Sequence, residues 1–293
     1  MSRETEEATL QKVGERNLYF TVDSFANGIS FGQHSLEPGQ DERDYYGLRL
    51  HDEGSVVRLS SRYALHKENP LHGLEANLMR LSRQGVLRSA VIYFGVSMDP
   101  FLPFDGKFEA SMKFLALFER YTPGMLIVQT RSPLVVIAMP VFKKLGQKVA
   151  VTIAVETPLE EMVQRYTPGL PRVAERLKVA TALRRFGVKV NMQVSPVLPY
   201  GDWKNDAANF AELLCEHADS LHVMPLTDGT EKLERRLRAT SLVKKLSADR
   251  RFHWLRPDSA NPLITAIEKT APEKLRLIHR GQLTDRQVKM FAA

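Results

Sequence analysis

The chain has 293 residues, 43% hydrophobic and 26% charged, the balance of an ordinary globular protein able to bury a large core. No run approaches the roughly 20 apolar residues of a membrane span, and Met1-Ser-Arg-Glu-Thr-Glu-Glu7 lacks the apolar core of a secretion signal, so a cytoplasmic protein with no membrane contact is expected. The single cysteine, Cys215, excludes an intramolecular disulfide, a four-cysteine zinc site and a cysteine-held iron–sulfur cluster; 41 Lys and Arg against 34 Asp and Glu leave +7, which permits but does not require phosphate or acidic partners.

In chain order, residues 1–54 form an N-terminal segment that packs on the rest. Asn17-Leu-Tyr-Phe-Thr-Val22 reads as a strand, and the Gly- and polar-rich sequence through Gly28, Gly32, Pro38 and Gly39 to Asp44 as a long loop or a remodelled element. Residues 55–293 form the main unit. Ser55-Val-Val-Arg-Leu59 is a second strand candidate. Asn69 then caps a helix that Pro70 opens, Leu71, Leu74, Leu78 and Leu81 carry, and Gly85 stops.

The next stretch, Ala90-Val-Ile-Tyr-Phe-Gly-Val-Ser-Met-Asp-Pro-Phe-Leu-Pro103, begins as an apolar, β-branched and aromatic run, the mark of a strand buried on both faces. It breaks at Gly95 into the polar turn Ser97-Met98-Asp99-Pro100. Further strands are expected at Met125–Thr130, Lys148–Val155, Lys189–Val197 and Ser220–Met224, with helical patterns between them and Gly124, Gly146 and Gly187 as helix stops. At least five such units predict an α/β fold with a parallel sheet, a partial or complete TIM-like β/α barrel. A doubly wound open sheet is the alternative. No Gly-x-Gly-x-x-Gly turn or Walker loop follows any strand, which argues against dinucleotide and NTP sites. The last sixty residues read as helices broken at Pro257, Pro262 and Pro272.

Parallel sheets place ligands past the carboxyl ends of their strands. The candidates there are Ser97 and Asp99; Thr130, Arg131 and Ser132; Glu156 and Thr157; Ser195; and Thr227 with Asp228. Arg131 could clamp a carboxylate or phosphate of a small molecule or nucleotide. Equally, it could pair with Asp99 or Glu156 and serve only to satisfy a wet barrel mouth. That ring has no histidine near a Ser or Cys nucleophile in sequence, and the eight histidines lack metal spacing, so no triad and no metal site is legible. Cys215, in a helix-like stretch, reads as a buried structural thiol. Arg184, Arg185, Lys244, Lys245, Arg250 and Arg251 are candidates for nucleic-acid contact, although no interleaved aromatics mark a stacking platform for single strands.

Five segments in order resemble the spore photoproduct lyase-like branch of the radical S-adenosylmethionine superfamily. They are Tyr93–Pro103 with its Asp99-Pro100; Gln129-Thr-Arg-Ser-Pro-Leu134; Ala154-Val-Glu-Thr157 followed by Thr167-Pro-Gly-Leu-Pro171; Arg176-Leu177 with Leu183-Arg-Arg-Phe-Gly-Val-Lys-Val190; and Ser195-Pro-Val-Leu-Pro199 with Asp202. The resemblance covers about Val56 to Trp203 and implies a radical-type barrel with an S-adenosylmethionine pocket at its mouth. Members of that family hold a four-iron cluster on Cys-x-x-x-Cys-x-x-Cys upstream of the Asp-Pro segment, whereas residues 1–90 here contain no cysteine. Met98, Arg131 and Ala154 also replace the Thr, Lys and Ser of the family pattern. The expectation is a cluster-free relative without radical chemistry, kept as a binding or regulatory protein, with S-adenosylmethionine binding an open question and the 4Fe–4S cluster absent. The alternatives are a non-radical enzyme or small-anion binder using the barrel mouth, with Asp99 or Glu156 as acid/base, and a module that binds nucleic acid or a partner protein.

Overall fold

Strand-forming runs alternate with helical periods through most of the chain, and the computed structural model describes residues 19–25, 28–34, 63–66, 70–95, 99–101, 107–227, 229, 231–238 and 240–276. The strands are β1 (Tyr19–Phe25), β2 (Gly28–His34), β3 (Tyr63–His66), β4 (Val91–Phe94), β5 (Met125–Thr130), β6 (Val149–Ala154), β7 (Lys189–Val194) and β8 (Ser220–Val223). The helices are α1 (Pro70–Arg83), α2 (Lys107–Arg120), α3 (Met139–Leu145), α4 (Glu160–Tyr166), α5 (Val173–Arg185), α6 (Ala207–His217), α7 (Glu231–Arg238), α8 (Ser241–Ala248) and α9 (Asn261–Thr270).

All eight strands form one sheet in the order β3-β2-β1-β4-β5-β6-β7-β8. From β1 through β8 every pairing is parallel, and β2 and β3 add an antiparallel edge. A doubly wound sheet reverses its strand order at a switch point. Here β4 to β8 follow one another without reversal, so right-handed crossovers carry the helices to one face. This is barrel winding, and among the described residues no strand pairing joins β3 to β8. An edge contact extends it beyond β8, where Leu275 bridges Leu221 and the Arg276 amide donates to the Leu221 carbonyl at 2.8 Å.

The two faces differ in what they bury. On the helix side Ile92, Phe94, Leu126, Val128, Val151, Ile153, Val190, Met192, Val194 and Leu221 join the main core. On the other face Met125, Ile127 and Ala150 make a small apolar cluster with Val91 and Tyr93. Toward the strand ends that inner face turns polar. The register aligns Gln129, Thr152, Asn191 and Ser220 in one row, and Ala154, Gln193 and His222 in the next. Ser220 Oγ donates to Asn191 Oδ1 at 2.6 Å, and Asn191 Nδ2 reaches Thr152 Oγ1 at 3.4 Å.

Some expectations are corrected. β2 occupies part of the span read as a loop, its alternation of Ile29 and Phe31 masked by Gly28 and Gly32. Pro262 opens α9 instead of breaking it, because a missing N–H costs nothing in a helix's first turn. Gly124 is required by space: a Cβ there would sit 2.5 Å from the Arg88 carbonyl oxygen. The strand candidate at 55–59, and with it the boundary at residue 54, lies outside the described residues.

Candidate functional site

The site is built from loops leaving β4, β5, β6 and β7 at the same end of the sheet. Asp99, in the turn after β4, accepts at Oδ1 from the Phe101 amide at 3.0 Å and from Thr130 Oγ1 at 2.7 Å. Its Oδ2 accepts from the Arg131 amide at 2.6 Å. The carboxylate thus ties the β4 turn to the end of β5. Ser132 donates its amide to Thr130 Oγ1 at 2.9 Å and accepts the Leu134 amide at 3.3 Å, opening a short 3₁₀ segment, Pro133–Ala138.

Two residues past β6, Glu156 sits between two arginines. Arg131 donates Nε and Nη2 to Oε1 at 2.7 and 2.6 Å. Arg176, from α5, donates Nη1 to Oε2 at 2.8 Å and to the Ala154 carbonyl at 2.7 Å. The Glu156 carbonyl accepts the Leu198 amide at 2.9 Å, and Thr157 Oγ1 donates to the Pro199 carbonyl at 2.7 Å, joining the β6 and β7 loops. Ser195 is buried at the end of β7, where the Ser195–Pro196 bond is cis. Thr227 Oγ1 accepts the Gly229 amide at 3.0 Å. Ser97 and Asp228 lie outside the described residues.

The electrostatics divide the two carboxyls. Burial pushes Asp99 above the usual carboxylate range, only partly offset by its three donors and the Arg131 charge. Burial acts on Glu156 in the same sense, but the charges of Arg131 and Arg176 and their hydrogen bonds outweigh it and hold the group at about 2. With both carboxylates ionised, the four charges cancel.

Asp99, Thr130, Arg131, Ser132 and Glu156 are therefore engaged with one another, and Thr157 with the Pro199 carbonyl. Spare capacity lies elsewhere: Arg176 Nε and Nη2 and Gln193 Nε2 are buried without a hydrogen-bond partner among the described residues. Sequence reading placed Arg176 only within a resembling segment and passed over Gln193. The alignment of Gln193 with Ala154 and His222 is a matter of register that no local pattern carries. Burial lowers the His222 imidazole to about 4, against a smaller opposing effect from a backbone hydrogen bond with Arg276, so it is neutral at physiological pH.

The basic candidates do not converge. Arg184 is held by Asp219 Oδ1 at 3.0 Å and the Glu216 carbonyl at 2.6 Å, with exposed Arg185 beside it, at the end of α5 that leads into β7. Lys244 and Lys245 lie on α8, and Arg250 and Arg251 just beyond it. Arg251 lines a cleft of about 570 Å³ with the connection between β7 and α6. There the aromatics missing from the sequence reading appear: Trp203 stacks on His253 with ring centroids 5.9 Å apart and planes at 25°.

No family model and no curated protein sequence matches the chain. Solved structures that resemble it include a spore photoproduct lyase variant with bound AdoMet and dinucleoside spore photoproduct, at 13% identity and TM-score 0.45 over 76% of this chain and 55% of that one. A spore photoproduct lyase complexed with dinucleoside spore photoproduct is 16% identical, TM-score 0.46, over 71% of this chain and 66% of that one. Streptococcus suis SuiB bound to S-adenosylmethionine is 12% identical, TM-score 0.46, over 84% of this chain and 49% of that one. The chain spans little more than half the length of the first of these. The barrel assignment rests on the strand order itself. Among the described residues no helix is long and apolar enough to cross a membrane.

Proposed function

We propose that this is a ligand-binding β/α-barrel protein that performs no iron–sulfur radical chemistry. The observation that carries the reading is the donor set. A four-iron cluster needs thiolates, and the chain has one cysteine, Cys215 near the end of α6, five residues before β8 begins and so at the opposite end of the sheet from Glu156. Among the described residues no three His, Cys, Asp or Glu side chains are grouped to hold a metal. The residues present do not fit the cluster. The inner face supplies the binding capacity: amide and hydroxyl groups on Gln129, Thr152, Asn191, Gln193 and Ser220 suit a polar, hydrogen-bonding small molecule, S-adenosylmethionine being the first to try.

The test is anaerobic reconstitution with iron and sulfide, then metal analysis and calorimetric titration with S-adenosylmethionine. No iron with saturable nucleotide binding supports the reading. Four irons per chain would overturn it, and no binding of either would remove S-adenosylmethionine as the ligand.

A second reading has one observation in its favour. Carboxyls driven apart, Asp99 upward and Glu156 down to about 2, are what an acid/base pair requires. Against it, every Asp99 and Glu156 oxygen already accepts a hydrogen bond from the chain. An activity abolished by Asp99→Asn with folding intact would favour the enzyme.

A further inference from the structure

The cleft beside the β7–α6 connection uses none of the strand-end residues described above. Its floor is rigid: Trp203 Nε1 donates to the Ser259 carbonyl at 2.8 Å, Tyr200 Oη donates to the Trp203 carbonyl at 2.7 Å, and Tyr200 packs edge-on against Trp254 at 4.8 Å. Trp203 and His253 present a stacked aromatic surface, and both are partly or fully exposed. Lys204 and Arg251 flank it, and among the described residues neither makes an ion pair. The lining carboxylate, Asp202, directs Oδ1 at its own loop, accepting the Lys204 and Asn205 amides at 3.0 and 2.7 Å.

Lys204 acts electrostatically on Asp202 and Arg251 on Asp249, but neither is tied in a close ion pair. A planar π surface beside two such cations, in a polar cleft of about 570 Å³, has the chemistry and size to take a base and its phosphate. We infer that this cleft binds a nucleotide, its base on Trp203 and His253 and its phosphate at Lys204 and Arg251. The nucleotide comes either free or as one unit of a single strand. The inference is independent of the inner face, so failure of the S-adenosylmethionine titration leaves it standing.

The protein supplies its own probe, because its two tryptophans, Trp203 and Trp254, both line the cleft. Intrinsic tryptophan emission of the full chain is followed against adenosine monophosphate, adenosine and a single-stranded thymidine oligonucleotide. Saturable quenching by the monophosphate, weakened about tenfold in Lys204→Ala/Arg251→Ala, establishes a free-nucleotide site. Quenching by the oligonucleotide alone, falling steeply with salt and weakened by the same double variant, establishes the strand as the source. Trp203→Leu, read by calorimetry, should lose about tenfold or more for either. Should that variant misfold, the surface double variant still decides. Adenosine binding as tightly as its monophosphate, no saturable quenching, or quenching indifferent to the double variant would overturn the inference.

Discussion

Replacing Glu156 with Gln removes the anion held between two buried guanidinium groups. The Glu156 side chain is 1% exposed, Arg131 9% and Arg176 0%, so water cannot take over the lost interaction. Removing one partner of a buried ion pair costs about 3–5 kcal/mol, mostly because the surviving charge is left uncompensated. The lowered carboxyl gives the same order. A carboxyl held at about 2 instead of 4.5 corresponds to about 3 kcal/mol of differential stabilisation. The sign follows from the direction. A carboxyl lowered on folding contributes fully above its unfolded value of 4.5 and loses that contribution as the pH falls toward 2. Asp99, raised on folding, opposes stability once ionised, so it cannot imitate this profile.

Denaturant unfolding of wild type and Glu156→Gln at a series of pH values is the assay. The expected gap is about 3–5 kcal/mol at neutral pH, constant down to about pH 5 and narrowing below it. A gap under about 1 kcal/mol at neutral pH, or one undiminished near pH 3, would refute the reasoning. The triple replacement Arg131→Met/Glu156→Leu/Arg176→Met supplies the control. Removing the two arginines and the carboxylate between them together should recover most of the loss, since the cost lies in the unpaired ion and not in the absence of the pair.

Gly95→Ala should destabilise by about 2–4 kcal/mol and disturb the Asp99 turn, because φ is +87° and a Cβ would meet Pro100 Cδ at 2.5 Å and the Gln129 carbonyl at 2.8 Å; thermal melts check it. Arg250→Gly should raise stability by about 1 kcal/mol: Arg250 has φ 55°, and the Arg251 amide donates to the Leu246 carbonyl at 2.8 Å, the αL ending that glycine adopts without strain. Cys215 should react with a disulfide reagent at least about tenfold more slowly than free cysteine at mildly alkaline pH and at the free rate in denaturant, since burial pushes its thiol up. A native rate equal to the denatured one would sink that expectation.

The barrel strands were legible because a parallel sheet covered on both faces needs continuous apolar runs, and Met125–Thr130 is one. Their neighbours were legible from helical spacing, so the order of units pointed to a barrel before any pairing was known. β2 was not legible: Gly28 and Gly32 interrupt its short alternation, and its identity depends on pairing with β1 and β3. At the site, Asp99, Arg131 and Glu156 could be named because strand ends in this winding face one another. What they do there could not, since pairing and ligand binding call for the same residue types. Arg176 shows the limit most clearly. In a helix that also carries Glu175, Lys178, Arg184 and Arg185 it reads as one more surface cation, yet it reaches back to the end of β6 and is buried. Trp203 and His253 stand fifty positions apart, and only the fold brings them into contact.

How the strand-end groups are spent decides what that end of the sheet can do. A general acid or base needs a lone pair or proton free to meet a substrate, and an anion clamp needs donors not already engaged. Asp99 has its oxygens filled by Phe101, Thr130 and Arg131, and Arg131 in turn gives two of its donors to Glu156. The result is a latch that pins the β4, β5, β6 and β7 loops together. Catalysis at this ring would have to break contacts worth several kcal/mol before substrate could be engaged. Binding on the inner face, where the Gln193 amide nitrogen has no hydrogen-bond partner among the described residues, requires no such disassembly. That asymmetry is the physical ground for proposing ligand binding on the inner face over catalysis at the strand ends.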